Sequence, residues 1–145
     1  MKRILRFVTV CALLTFSFSA FAGNKGSERT NEFDWNPVMD AIIQVESGGN
    51  RMAKNGNQVG AMQITPIAVA ECNKILKLRN SSKRYTLADR FSIEKSKEMF
   101  VLIQSFHNPT NNVEQAIRAW NGGPRYSVQK TQRYYEKVMR HLKNQ

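Results

Sequence analysis

The sequence predicts an all-α, single-domain chain, and three observations predict it. Apolar residues recur at three- and four-residue steps in several segments, the spacing of one helix face. Ser, Thr or Asn stands ahead of these segments, twice followed directly by proline, as at a helix start. No stretch alternates apolar and polar residues as a half-buried strand does, and no internal repeat is found.

The first helix is predicted to start at Asn36-Pro37, with Asn36 as its cap, and to carry Val38, Ile42 and Val45 to about Ser47. Gly48-Gly49-Asn50 stops it. The stretch to Gln63, with Gly56, Gly60 and several Asn residues, reads as a surface loop, so Glu46 stands at a helix end beside a loop. Thr65-Pro66 opens a second helix to about Leu78, with Ile67, Val69, Ala70 and Ile75 as its apolar residues. Thr86 and Asp89 resemble a capping pair for a short helical turn, and Ser92 caps a long amphipathic helix through about Phe106. Ile93, Phe100, Leu102, Ile103 and Phe106 are its expected core face, with Glu94, Lys95, Lys97 and Glu98 opposite. Asn111 to Glu114 forms another capping pattern, opening a short helix of Val113, Ala116, Ile117 and Trp120 that ends at Asn121-Gly122-Gly123-Pro124. A last helix runs from about Val128 to Leu142.

Residues 1–22 read as a secretory signal: Lys2, Arg3 and Arg6 precede an apolar run from Phe7 to Phe18 and the small-residue site Ala20-Phe21-Ala22. That run of about 12 residues is short of the roughly 20 that a spanning helix needs. An exported product, periplasmic or extracellular, is therefore expected. Residues 23–34, polar through Glu32, read as a flexible lead-in, and residues 35–145 as the one domain, expected to be a monomer.

The chain carries 22 Lys and Arg against 11 Asp and Glu. Losing the leader removes three of the cations and none of the acids, so the remainder stays strongly basic and favours a polyanionic partner, or simply a solvated surface. Export and the scatter of these cations along the chain argue against nucleic acid. Wall polymers and anionic membrane surfaces fit better. Past the leader only Cys72 remains, so no internal disulfide framework exists, and Cys72 reads as a small buried hydrophobe. As a nucleophile it would need a histidine, and no motif ties it to His107 or His141.

Glu46-Ser47-Gly48-Gly49-Asn50 places one carboxylate on an otherwise apolar helix face beside glycines that let a sugar ring approach. Desolvation there would raise its pKa from about 4.3 toward the ~6–7 of a general acid at neutral pH. Taken alone, Glu46 reads better as a helix-terminal Glu in solvent. Two further motifs change the balance, Gly60-Ala61-Met62-Gln63-Ile64-Thr65-Pro66 and Ala119-Trp120-Asn121-Gly122-Gly123-Pro124.

In this order the three motifs resemble the soluble lytic transglycosylase family, relatives of goose-type lysozyme. Its pattern is Glu-Ser with Asn nearby, Gly-Leu-Met-Gln before a proline, then Ala-Tyr-Asn-Ala-Gly. Thr131 to Val138 resembles that family's terminal Thr-Arg-Asn-Tyr-Val segment and matches its Tyr to Tyr134. The likeness extends over about residues 36–140.

The resemblance implies a lysozyme-like domain with a substrate groove for glycan strands of peptidoglycan, cut at the β-1,4 bond between N-acetylmuramic acid and N-acetylglucosamine. It implies Glu46 as acid and then base, a 1,6-anhydromuramic acid end as product, and neither metal nor cofactor. As substrate-binding residues it implies Ser47, Met62, Gln63, Trp120, Asn121 and Tyr134. Packing competes with contact for Met62 and Tyr134, and loop-holding competes for Asn121. Tyr134 is expected either to bond the Glu46 carboxylate or to close the groove.

The sequence departs from the family pattern twice. Trp120 stands at the usual Tyr, and Lys54 and Asn55 occupy the stretch where the family often has a Ser. A hydrolytic muramidase of the same fold is thus a second reading, for which Asp34, Asp40 and Asp89 are the aspartates available to place a water. A wall-binding module without activity is a third, and a cationic membrane-active protein, resting on residues 128–143, a fourth. A partner in a secretion or phage machine is not specified by the sequence.

Overall fold

The computed structural model describes residues 33–144. The expected leader, and the lead-in before Phe33, lie outside the described residues. Those residues form five α-helices, a two-stranded hairpin and a 3-10 helix, and none of the helices is long and apolar enough to cross a membrane.

Helix α1, Asn36–Ser47, buries Val38, Met39, Ala41, Ile42 and Ile43 on one face. Asn36 is its first residue rather than its cap. Trp35 takes the cap position and is drawn into the core against Phe100, with ring centroids 5.5 Å apart. The polar partner comes from one residue earlier, where Asp34 Oδ1 accepts from the Asn36 backbone N–H and from Nδ2, both at 2.9 Å. Gly48 ends α1 in the left-handed conformation at φ 61°, donating its N–H to the Gln44 carbonyl at 3.1 Å, a backbone position at which glycine carries no steric penalty.

The expected plain loop contains a short antiparallel hairpin, β1 Lys54–Asn55 and β2 Gln58–Val59, in which Lys54 faces Val59. Strands of two residues are too short for any alternation to be legible. Val59 and Ile64 then exchange backbone hydrogen bonds of 3.2 and 2.9 Å, pinching residues 60–63 into a tight loop.

Helix α2, Pro66–Leu78, has Thr65 Oγ1 accepting from Ala68 N at 3.1 Å, a cap worth about 1 kcal/mol. A 3-10 helix, Leu87–Phe91, starts where the Asp89 carboxylate accepts from Thr86 N and Oγ1 at 2.6 and 3.0 Å. Helix α3, Ile93–His107, is capped by Ser92, and helix α4, Val113–Gly122, by Asn112 rather than Asn111. Asn111 instead makes the left-handed turn ahead of it, at φ 54°. Helix α5, Val128–Lys143, closes the structure against α1 and α4.

The core is built on Ile42, Met62, Ile64, Cys72, Met99, Phe100, Ile117 and Val138, all nearly inaccessible. Ile93 and Phe106, expected in it, are exposed at the two ends of α3, and Ile67 is exposed on α2, because the interior stops short of them. Two buried arginines tie the elements together. Arg118 on α4 donates to Glu114, the Val128 carbonyl, Thr131 and Gln132, joining α4 to α5. Arg90 donates to the carbonyls of Leu87, Asn57 and Ile64, joining the 3-10 helix to the hairpin and the tight loop.

Candidate active site

Glu46 lies in the last turn of α1, at one end of a cleft also lined by Gln58, Gln63, Ile64, Thr65, Ala68, Trp120 and Asn121. Residues from all three sequence motifs therefore meet around one carboxylate. Glu46 is the one carboxylate among these lining residues. The cleft continues past Thr65, Ala68 and Trp120 into a wider groove between α2, α3 and α4, where Ile67, Ile103 and Tyr126 offer apolar surface.

Burial holds the Glu46 carboxyl above the ordinary range, since it disfavours the charged form. A hydrogen bond from Tyr134 works in the opposite direction and is the smaller effect. Tyr134 reaches Glu46 from α5, its hydroxyl donating to Oε1 at 2.7 Å. Burial and the neighbouring carboxylate both push the Tyr134 ionisation upward, so the phenol remains a donor. Of the two roles expected for Tyr134, the structure carries the bond to Glu46.

The tight loop explains the Gly60-Ala61-Met62-Gln63 run. Gly60 sits at φ 81°, and a Cβ there would lie 1.8 Å from the Arg90 carbonyl oxygen, so only glycine fits. Met62 is fully buried, and its side chain belongs to the core. The expectation of a sugar contact from Met62 is corrected to packing. Its carbonyl does serve the site, accepting from Trp120 Nε1 at 3.2 Å. Gln63, held at φ 52°, donates from Nε2 to the carbonyls of Gly60 at 2.9 Å and Ala53 at 3.3 Å, and lines the cleft as well.

Ser47, expected at the substrate, is engaged in structure: its hydroxyl donates to the Ala61 carbonyl at 2.8 Å and so locks the tight loop onto the end of α1. Trp120 packs on Phe100 at 5.1 Å between ring centroids and lines both the cleft and the groove, combining the core and platform roles. Asn121 is exposed at the cleft wall. Gln58 and Ala68 also line it, although no sequence signal marked them, as do Ile64 and Thr65, which stood in the second motif without an assigned role at the site.

Each aspartate considered for placing a water has another partner. Asp34 bonds Asn36, Asp40 pairs with Lys97 at 2.6 Å, and Asp89 caps the 3-10 helix. Cys72 is buried, its Sγ against the Met99 carbonyl at 3.6 Å, and burial pushes its thiol up to about 12, which suits an inert side chain. Among the described residues no three His, Cys, Asp or Glu side chains gather into a metal-binding group.

A protein-family model described as "Transglycosylase SLT domain" matches residues 24–142. No curated protein and no solved structure matches the chain.

Proposed function

From the premise that the chain belongs to the transglycosylase SLT domain family, with its all-α, lysozyme-like fold and peptidoglycan as its substrate, we propose that it is a lytic transglycosylase with Glu46 as the catalytic residue. It cleaves the β-1,4 bond between N-acetylmuramic acid and N-acetylglucosamine and leaves a 1,6-anhydromuramic acid end.

The observation that carries this reading is a single, partly desolvated carboxyl that lines a cleft and is hydrogen-bonded at 2.7 Å to a phenol. A raised pKa favours the protonated form of Glu46, the form that a general acid requires. Tyr134 occupies Oε1, which leaves Oε2 to carry the proton. In the first step Glu46 gives that proton to the glycosidic oxygen. The bond from that oxygen to the anomeric carbon breaks, and the muramic acid ring takes on oxocarbenium character.

In the second step the Glu46 carboxylate withdraws the proton of the same sugar's C6 hydroxyl, whose oxygen closes onto the anomeric carbon. The carboxyl is restored and no water is consumed. One carboxylate serves both steps, whereas most glycosidases need a pair flanking the bond. Gln63, Trp120 and Asn121 are assigned to the sugar, and Ser47 to positioning the tight loop. Residues 1–22 are assigned to export and residues 35–145 to the catalytic domain.

Purified sacculi test this reading. The protein is expected to release soluble fragments from them, and Glu46→Gln to release none while keeping its fold. Equal release by the two proteins overturns the assignment, and binding to sacculi without release by either makes the chain a wall-binding module.

A further inference from the structure

We propose that the outward face of α5 is a docking surface for an anionic phospholipid leaflet. Lys130, Arg133, Lys137 and Arg140 lie on this helix and are all exposed. At 3.6 residues per turn they fall within about a quarter of its circumference and span roughly 15 Å of its length. Lys143 extends the basic surface on its flank. Among the described residues, Lys74, Lys83, Lys95, Lys97 and Arg118 of other elements stand in ion pairs. None of the five α5 cations does. Glu136 is the one acid beside the stripe, and Gln132 donates to it at 2.8 Å.

The other side of α5 determines the mode of contact. Thr131 and Val138 are buried, and Tyr134, Tyr135, Met139 and Leu142 pack on the core. The apolar face that an inserting helix would need is already used, so α5 adsorbs by charge and does not enter the bilayer. A convex helix face forms no groove to grip a single polymer chain, whereas a planar anionic surface meets all four cations together. Tyr134 sits on the flank of α5 next to Lys130 and Lys137, so adsorption holds the Glu46 cleft beside the leaflet.

The test is co-sedimentation of the protein, in the form its host exports, with vesicles of phosphatidylglycerol mixed with phosphatidylcholine and of phosphatidylcholine alone. The neutral vesicles report any contribution of the amino-terminal residues. Each basic residue near such a surface contributes about fivefold in affinity, so Lys130→Gln/Arg133→Gln/Lys137→Gln is expected to weaken binding to the anionic vesicles roughly a hundredfold. Glu136→Gln is expected to strengthen it about fivefold. Raised salt should abolish the difference between the two vesicle types.

Equal binding to both vesicle types at low salt overturns the proposal, as does an unchanged affinity in the folded triple variant. Should the triple variant fail to fold, Glu136→Gln decides alone: no gain overturns the proposal. Tighter capture by soluble poly(glycerol phosphate) than by the anionic vesicles assigns the stripe to a wall polymer and likewise overturns it. Release of fragments from sacculi by the triple variant is expected to be unchanged, which separates this proposal from the assignment of Glu46.

Discussion

Tyr134, 88 residues beyond Glu46 in the chain, donates its phenolic hydrogen to that carboxylate across 2.7 Å. A bond to a charged acceptor is roughly twice as strong as a neutral one, and this one ties the last helix to the end of the first. It lowers the Glu46 pKa while burial raises it, and burial is the larger effect.

Tyr134→Phe should therefore let the Glu46 pKa rise further. The high-pH limb of the rate profile is expected to move upward, because the acid stays protonated to a higher pH. The rate at neutrality should still fall, by about tenfold, since the carboxyl loses the contact that orients it. A fall in rate with the limb unmoved would mean that the hydroxyl serves packing alone.

Glu46→Gln should stabilise the fold while removing activity. A carboxyl whose pKa is raised on folding binds its proton more tightly in the native state. Its contribution is therefore complete below the ordinary value of 4.5 and is lost as pH rises through the raised one. The neutral amide has no such loss. Thermal melts should give the variant the higher midpoint at neutral pH, with the gap closing below pH 4.5, whereas a constant gap would place Glu46 in solvent.

Gly60→Ala combines an unfavourable φ with a Cβ against the Arg90 carbonyl. Backbone cannot yield as a flexible side chain does, so a loss of about 3 kcal/mol or more is expected, visible as a drop in melting temperature of about 12 °C or more. Activity should fall with it, because the tight loop carries Gln63 and the Met62 carbonyl.

Glu98 supplies a pH dependence of opposite sign. The Lys83 ammonium at 2.6 Å, helped by Lys95 and Tyr85, holds its carboxyl down at about 2 against an ordinary 4.5. Its stabilisation is present above pH 4.5 and lost as pH falls through about 2. Solvent reaches this cluster, so the contribution is no more than about 1 kcal/mol. Glu98→Gln is expected to flatten the stability profile over that acid range, as followed by urea melts, and an undiminished slope would assign the acid loss to other carboxylates.

Much of the fold was legible because helix starts are local. Thr65 and Ser92 cap the helices that their sequence positions predict, and α2 spans the expected segment. Trp35 and Asn112 displace the expected caps by one residue, because burial of Trp35 and the left-handed turn at Asn111 are decided by tertiary structure. The expected bond to Glu46 was one of two options for Tyr134, and the packing of α5 selected it. Packing and sugar contact stood open for Met62 because a motif records which residues occur together, not which way each points; in the fold its side chain is buried in the core beside the pinch between Val59 and Ile64. Arg90 and Arg118 carried no signal as fasteners, since Arg90 is held by backbone carbonyls and Arg118 mainly by groups of α5, most of them brought near only by folding.

The sugar ends released from purified sacculi, identified by mass spectrometry for the unaltered protein and for Glu46→Gln, test the central claim most directly. The account predicts muramic acid ends lighter by one water from the unaltered protein and none from the variant. Reducing muramic acid ends in their place, or anhydro ends that persist in Glu46→Gln, would contradict it.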